Sequence, residues 1–183
     1  MMLCKENVQL LVVDFQEKLI DKISDYKKII AVTESVIDVF IHLKLPIIFS
    51  EQYPKGLGST INPLKNKLEE YKSNKIEKTS FSCLGSLSEN EIKNKFFKKQ
   101  VMICGIEAHI CVLQTALDLV EKGFEVFIVN ESIGSRHVDH KNDAIQRMMQ
   151  NGVSLINFEM FIFELIRDSK SKDFKSLSRF IKK

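Results

Sequence analysis

Three residues of this chain could form a nucleophilic site. Asp14 closes the apolar run 8–13, Lys78 follows the short run 75–77, and Cys111 lies just past Gly105 at the first turn of a helical pattern. A thiol at a helix start sits among unpaired N–H groups at the positive end of the helix dipole, which lowers its pKa and favours the thiolate. A lysine ammonium nearby adds to that, so Cys111 is expected to titrate below the ordinary thiol value of about 8.5. An aspartate can take the thiol proton and return it to a leaving group. Such a Cys-Asp-Lys set would do what Cys-His-Asn does elsewhere. The turn before the helix could present backbone amides to an oxyanion. Position alone leaves a plainer reading open, in which the Cys packs in an apolar core and the strand-end Asp forms a turn.

The elements that must position these groups follow from the hydropathy pattern. Val8-Gln9-Leu10-Leu11-Val12-Val13 is rich in β-branched residues and nearly continuous in apolar character, as in a strand covered on both faces. Over 26–43, Ile29, Ile30, Val32, Val36, Ile37, Phe40 and Ile41 recur at helical steps. Pro46 opens a strand at 47–49, followed by a loop over 52–60. A helix is expected over 63–71, a strand over 75–77, and a helix over 88–97 capped by Ser88 with Glu91 three residues later. Strand 100–104, helix 109–122, strand 125–129, helix 137–151, strand 153–156 and helix 159–166 complete the alternation. The spacing predicts an α/β fold, a three-layer open and mostly parallel six-stranded sheet with helices on both faces. Such sheets bind ligands outside the carboxyl ends of their strands, where Asp14, Lys78 and Cys111 fall.

With 183 residues, 44% hydrophobic and 28% charged, the chain reads as one folded domain over 1–183, with 168–183 as a terminal helical segment. Phe174, Leu177 and Phe180 recur there at helical spacing, so the segment reads as a packed or oligomer-facing helix, with a basic membrane-surface helix as the alternative. The net charge of +3 and interspersed signs point to neither nucleic acid nor membrane as a partner. Cys4, Cys83, Cys104 and Cys111 lack CxxC spacing and no secretory leader is evident. Reduced thiols and a cytoplasmic location are expected, with uncleaved organellar import left open.

Other candidates have two readings. His109 could line a pocket or simply be tolerated at a helix start. Phe15, Tyr53 and Phe81 could wall a pocket or fill the core, and Phe81 is the one favoured for the pocket. Ser132, Ser135, Arg136 and His137 are expected in the loop after the fifth strand. Arg136 could hold a carboxylate bidentately there, although an N-cap and turn is the preferred reading. Cys104 reads as a core thiol.

Three segments resemble the isochorismatase-like cysteine hydrolases, in the family's order: Leu11-Val12-Val13-Asp14-Phe15-Gln16, Lys78-Thr79-Ser80-Phe81, and Cys104-Gly105-Ile106-Glu107-Ala108-His109-Ile110-Cys111-Val112. The loop Glu51-Gln52-Tyr53-Pro54-Lys55-Gly56-Leu57-Gly58 resembles that of the family's small orphan branch. The resemblance implies Asp14 as general base, Lys78 as its orienting cation and Cys111 as nucleophile. It also implies an oxyanion hole from the backbone N–H groups of Glu107 and Cys111, a cis peptide at Ile106-Glu107, and first and fourth strands lying side by side. Nicotinamide-hydrolysing members carry an Asp/His metal cluster after the second strand. Here Ser50-Glu51-Gln52-Tyr53-Pro54 holds no His, so no metal and no cofactor are expected. The nucleophilic Cys, absent from isochorismatase proper, implies cleavage of a C–N bond in a small amide through a thioester, within a homo-oligomer. The competing expectation is a catalytically silent oligomer that binds a metabolite or a protein partner.

Overall fold

A computed structural model describes residues 2–181; Met1, Lys182 and Lys183, the last two from the expected terminal segment, lie outside the described residues. The sheet has six strands in the order β3-β2-β1-β4-β5-β6. They are β1 (Val8–Val13), β2 (Ile47–Gln52), β3 (Asn74–Lys78), β4 (Gln100–Ile106), β5 (Glu125–Gly134) and β6 (Ser154–Ile156), all paired in parallel. The central β1 and β4 are buried along their whole length, the state that their continuous apolar runs require.

Alternation along β1 divides the core. Val8, Leu10 and Val12 face one apolar layer with Ile29, Val36 and Phe40 of α2 (Tyr26–His42) and Phe161 and Leu165 of α8 (Phe158–Ile166). Leu11 and Val13 face the other layer, with Ala116 and Leu119 of α6 (Leu113–Glu121) and Ala144 and Met148 of α7 (Val138–Gln150). The short helices α4 (Leu64–Glu70) and α5 (Glu89–Lys95) cover the two sides near β3. Helix α5 starts in the expected capping box of Ser88 and Glu91. Two four-residue helices, α1 (Glu17–Ile20) and α3 (Pro54–Leu57), are too short to leave a period in the sequence.

The terminal helix α9 (Phe174–Ile181) buries Leu177 in the α2/α8 layer, and Lys5 Nζ lies 2.7 Å from an Asp173 carboxylate oxygen just before it. It packs on the body, in line with the packed reading of that segment. Among the described residues no helix is long and apolar enough to cross a membrane.

Strand β5 departs from expectation, running to Gly134 and not ending at Val129. Its polar tail reads as loop, but β4 pairs with it beyond a bulge, Gly105 opposite Ile133 and Ile106 opposite Gly134. Ser132 is therefore in a strand, and Ser135 and Arg136 are carried to the carboxyl edge beside the turn that follows β4.

That crowding explains Gly105. A Cβ there would lie 2.5 Å from Val13 Cβ and 2.8 Å from the Val13 carbonyl oxygen, so β1 and β4 close only around a residue with no side chain. Gly105→Ala is expected to cost about 1–3 kcal/mol by overpacking, read as a lower denaturant midpoint at unchanged slope. An unchanged midpoint would mean that the strands part freely.

Candidate active site

The sheet order reverses between β1 and β4, so their carboxyl ends border the crevice where open α/β sheets bind ligands. Asp14 follows β1 with φ 53°, a left-handed conformation that Asp tolerates better than most residues. Its N–H still donates to the Ser50 carbonyl at 3.2 Å, so the turn leaves directly from the sheet.

Both carboxylate oxygens of Asp14 are engaged. Oδ2 accepts from Lys78 Nζ at 2.7 Å and Oδ1 accepts from Ser50 Oγ at 2.7 Å. The Asp14 and Lys78 side chains are 0% exposed. Lys78 Nζ donates further to Gln52 Oε1 at 2.7 Å and to the Phe81 carbonyl at 3.0 Å, so the buried ammonium has a full set of acceptors. Gln52 is itself fixed by Gln16, whose Oε1 accepts the Gln52 N–H at 2.7 Å and whose amide nitrogen donates to the Gln52 carbonyl at 2.9 Å. Burial lowers the Lys78 pKa, but the Asp14 carboxylate together with Cys83 and Cys111 outweighs it and the net shift is upward. The lysine stays charged.

Cys111 enters from the other side. The segment Ala108–Val112 is a π turn, with the Val112 N–H reaching back five residues to the Glu107 carbonyl at 3.3 Å, and α6 continues from it. The Ile106–Glu107 peptide bond that leads into it is cis, as the resemblance implied. The Cys111 thiol lies near enough to Asp14 and Lys78 for both charges to act on it, and the residue is 7% exposed. The structure thus brings Asp14, Lys78 and Cys111 together.

One expectation is overturned. Burial pushes the Cys111 thiol pKa well above the ordinary range and the Asp14 carboxylate adds to that, with Lys78 opposing only in part. The helix-start argument for a lowered pKa loses to desolvation and a facing anion, so the resting thiol is neutral.

A second thiol lies in the same cluster. Cys83 is wholly buried, its N–H bonds Thr115 Oγ1 at 3.0 Å one helical turn beyond Cys111, and burial together with Asp14 pushes its pKa up to about 11. Cys104 is a core thiol, pushed up to about 12 by burial.

Of the expected pocket residues, Phe81 stands 53% exposed while its carbonyl holds Lys78. His109 turns toward the loop after β5: its Nδ1 lies 2.9 Å from Ser135 Oγ and its ring 4.8 Å from that of His140, whose ring is 4.9 Å from that of His137. His137 stands at the N-cap of α7 in extended conformation, as the preferred reading of that loop expects, though its side chain makes no cap hydrogen bond. Arg136 grips a carboxylate, that of Glu107, with Nη2 donating to Oε1 at 2.8 Å and Nε to Oε2 at 3.2 Å.

Sequence reasoning missed Ser50, Gln52 and the carboxylate of Glu107 as parts of the site. A cue existed for the first two. β2 neighbours β1 and β3, so its end must face Asp14 and Lys78 whichever residues stand there. No comparable cue pairs Glu107 with Arg136. Among the described residues no three or more His, Cys, Asp or Glu side chains are grouped to hold a metal ion. A cavity of about 410 Å³ opens beside the end of β3, bordered by Tyr53, Lys55, Glu77 and Thr79, and another of about 270 Å³ lies between α2 and α7. Lys78 also borders the first of these, and Cys111 lines neither.

The model of the Isochorismatase domain matches residues 8–160, from the start of β1 into α8, a span that holds all three side chains. The chain belongs to the isochorismatase-like hydrolase family. Isochorismatase family protein 1A of Dictyostelium discoideum is 36% identical over 170 residues, 92% of this chain and 82% of that protein. The structure of the MAR1 ribonuclease from Caenorhabditis elegans matches with a TM-score of 0.88 at 34% identity, covering 100% of this chain and 93% of that one. YcaC of Escherichia coli, described as an octameric hydrolase of unknown specificity, matches with a TM-score of 0.88 at 26% identity, covering 98% of this chain and 89% of that one. The isochorismatase-like fold is therefore established from β1 to α9, open sheet included.

Proposed function

We propose that this isochorismatase-like hydrolase cleaves a C–N bond of a small amide through a thioester on Cys111. The observation that carries the reading is the buried Asp14–Lys78 pair at 2.7 Å with the Cys111 thiol against the same carboxylate. Asp14, held by Lys78 and Ser50, takes the thiol proton as Cys111 Sγ bonds to the carbonyl carbon. The oxyanion rests on the backbone N–H groups of Glu107 and Cys111. Collapse breaks the C–N bond, and Asp14 passes its proton to the departing amine. Water, deprotonated by the same carboxylate, then attacks the thioester carbon, the C–S bond breaks to free the acid, and Asp14 returns the proton to Cys111 Sγ. A neutral resting thiol suits this scheme, because the thiolate forms only when a substrate is there to receive it. Phe81 and His109 are proposed to border the substrate.

A second reading, a silent fold that binds a metabolite or protein partner, draws on the slight 7% exposure of Cys111. Intact-mass analysis after incubation with a panel of small amides separates the two. A covalent mass on Cys111 equal to the acyl fragment supports the hydrolase, and binding without any adduct or product supports the silent reading. The MAR1 relative is described as a ribonuclease. We place RNA outside the substrates of this chain because its net charge is only +3, and RNA cleavage lost in Cys111→Ala would reverse that assignment. We also propose a homo-oligomer, as YcaC is octameric and Val138, Met149, Met160 and Phe163 stand exposed on the helices.

A further inference from the structure

Glu107 puts an acid in an unfavourable place. It begins the turn whose N–H groups are proposed to receive an oxyanion, its residue is 6% exposed, and a bare carboxylate there would oppose the negative charge that develops beside it. Arg136 answers that charge with three side-chain contacts, Nη2 to Oε1 at 2.8 Å, Nε to Oε2 at 3.2 Å and Nε to Oε1 at 3.3 Å, while its own backbone N–H donates to Oε2 at 3.2 Å. The pairing lowers the Glu107 carboxyl pKa, burial being outweighed by the hydrogen bonds and charge of Arg136 with a smaller part from His109.

The same two loops are joined again beside this pair, by His109 Nδ1 and Ser135 Oγ at 2.9 Å. The β5–α7 loop is anchored in turn to the segment before α2, where the Ser24 N–H donates to the Ser135 carbonyl at 3.1 Å and Ser24 Oγ to the Arg136 carbonyl at 2.9 Å. The turn before Cys111 is thus tied across 29 residues of sequence to a loop that is itself fixed.

We propose that the Glu107–Arg136 pair is the positioning device of the oxyanion turn, holding its backbone in place and cancelling the charge of Glu107 so that the oxyanion is not repelled. Arg136 is a positioning residue and touches no reacting atom. The inference rests on the acyl-transfer reading above.

The test compares two reactions of the same thiol. With p-nitrophenyl acetate, Cys111 Sγ bonds to the acetyl carbon, the ester C–O bond breaks, p-nitrophenolate leaves and the thiol proton passes to Asp14; an oxyanion forms on the way. With iodoacetamide, Sγ displaces iodide from carbon, the thiol proton passes to the same carboxylate, and no oxyanion forms. Both are followed as mass on Cys111. In Arg136→Gln, acetylation is expected to slow at least about tenfold, less than the roughly 10²–10³-fold of losing an oxyanion donor outright because the N–H groups remain, while alkylation stays within about twofold. Arg136→Lys, which keeps the charge but not the fork, should recover part of the loss. The Arg136 side chain is 49% exposed, and alkylation of the buried thiol reports on the fold and the pocket in each variant. Equal slowing of both reactions, or of neither, overturns the proposal. Failure of the unaltered protein to be acetylated overturns the acyl-transfer reading itself, and is seen before any variant is made.

Discussion

Cys111→Ala is expected to lower turnover of any true amide substrate by about 10⁴-fold or more, and to abolish the acyl adduct, because no other group can form the thioester. Cys83 is the nearest alternative, but it is wholly buried and its thiol is pushed up to about 11, so it offers neither access nor thiolate. Single-turnover rates with the wild type and the variant decide this. A variant within tenfold of wild type would put the nucleophile elsewhere. The unaltered thiol should also alkylate slowly at neutral pH and faster as the pH rises past the ordinary thiol range, since burial and the Asp14 carboxylate raise its pKa. Rapid alkylation at pH 7 would mean that the carboxylate does not face the sulfur.

Lys78→Ala should have the largest effect on stability. It leaves the Asp14 carboxylate in a site where both side chains are 0% exposed, and breaking such a pair from one side costs about 3–5 kcal/mol. In a chain of this size that corresponds to a melting temperature lower by roughly 6–20 °C, measured by calorimetry. The double variant Asp14→Asn with Lys78→Met removes both charges and should regain most of that loss while forming no acyl adduct. A single variant within about 1 kcal/mol of wild type would show that water reaches the pair. Stability and chemistry draw on the same two residues here, and the double variant separates them.

Each strand was legible to the extent that its surroundings left a pattern in the chain. β1 and β4 are buried on both faces, which favours nearly continuous apolar runs, and both are visible in the sequence. The tail of β5 was not, because its strand state comes from pairing with β4 past a bulge and not from its polar residues. The π turn looks in the sequence like the ordinary start of a helix, since one extra residue in a turn leaves the hydrophobic period almost unchanged.

The site divides in the same way. The residue types of Asp14, Lys78 and Cys111, each at or soon after the end of a strand, are determined by the sequence alone, because a parallel sheet sends the carboxyl ends of its strands to one edge. Tertiary structure decided the electrostatics. Whether Cys111 rests as thiol or thiolate depends on how much water it loses and which charge faces it, and Asp14 is 97 positions away in the chain. It also decided that Arg136 would hold Glu107, since an ion pair between distant segments exists only once β4 and β5 have brought their ends together.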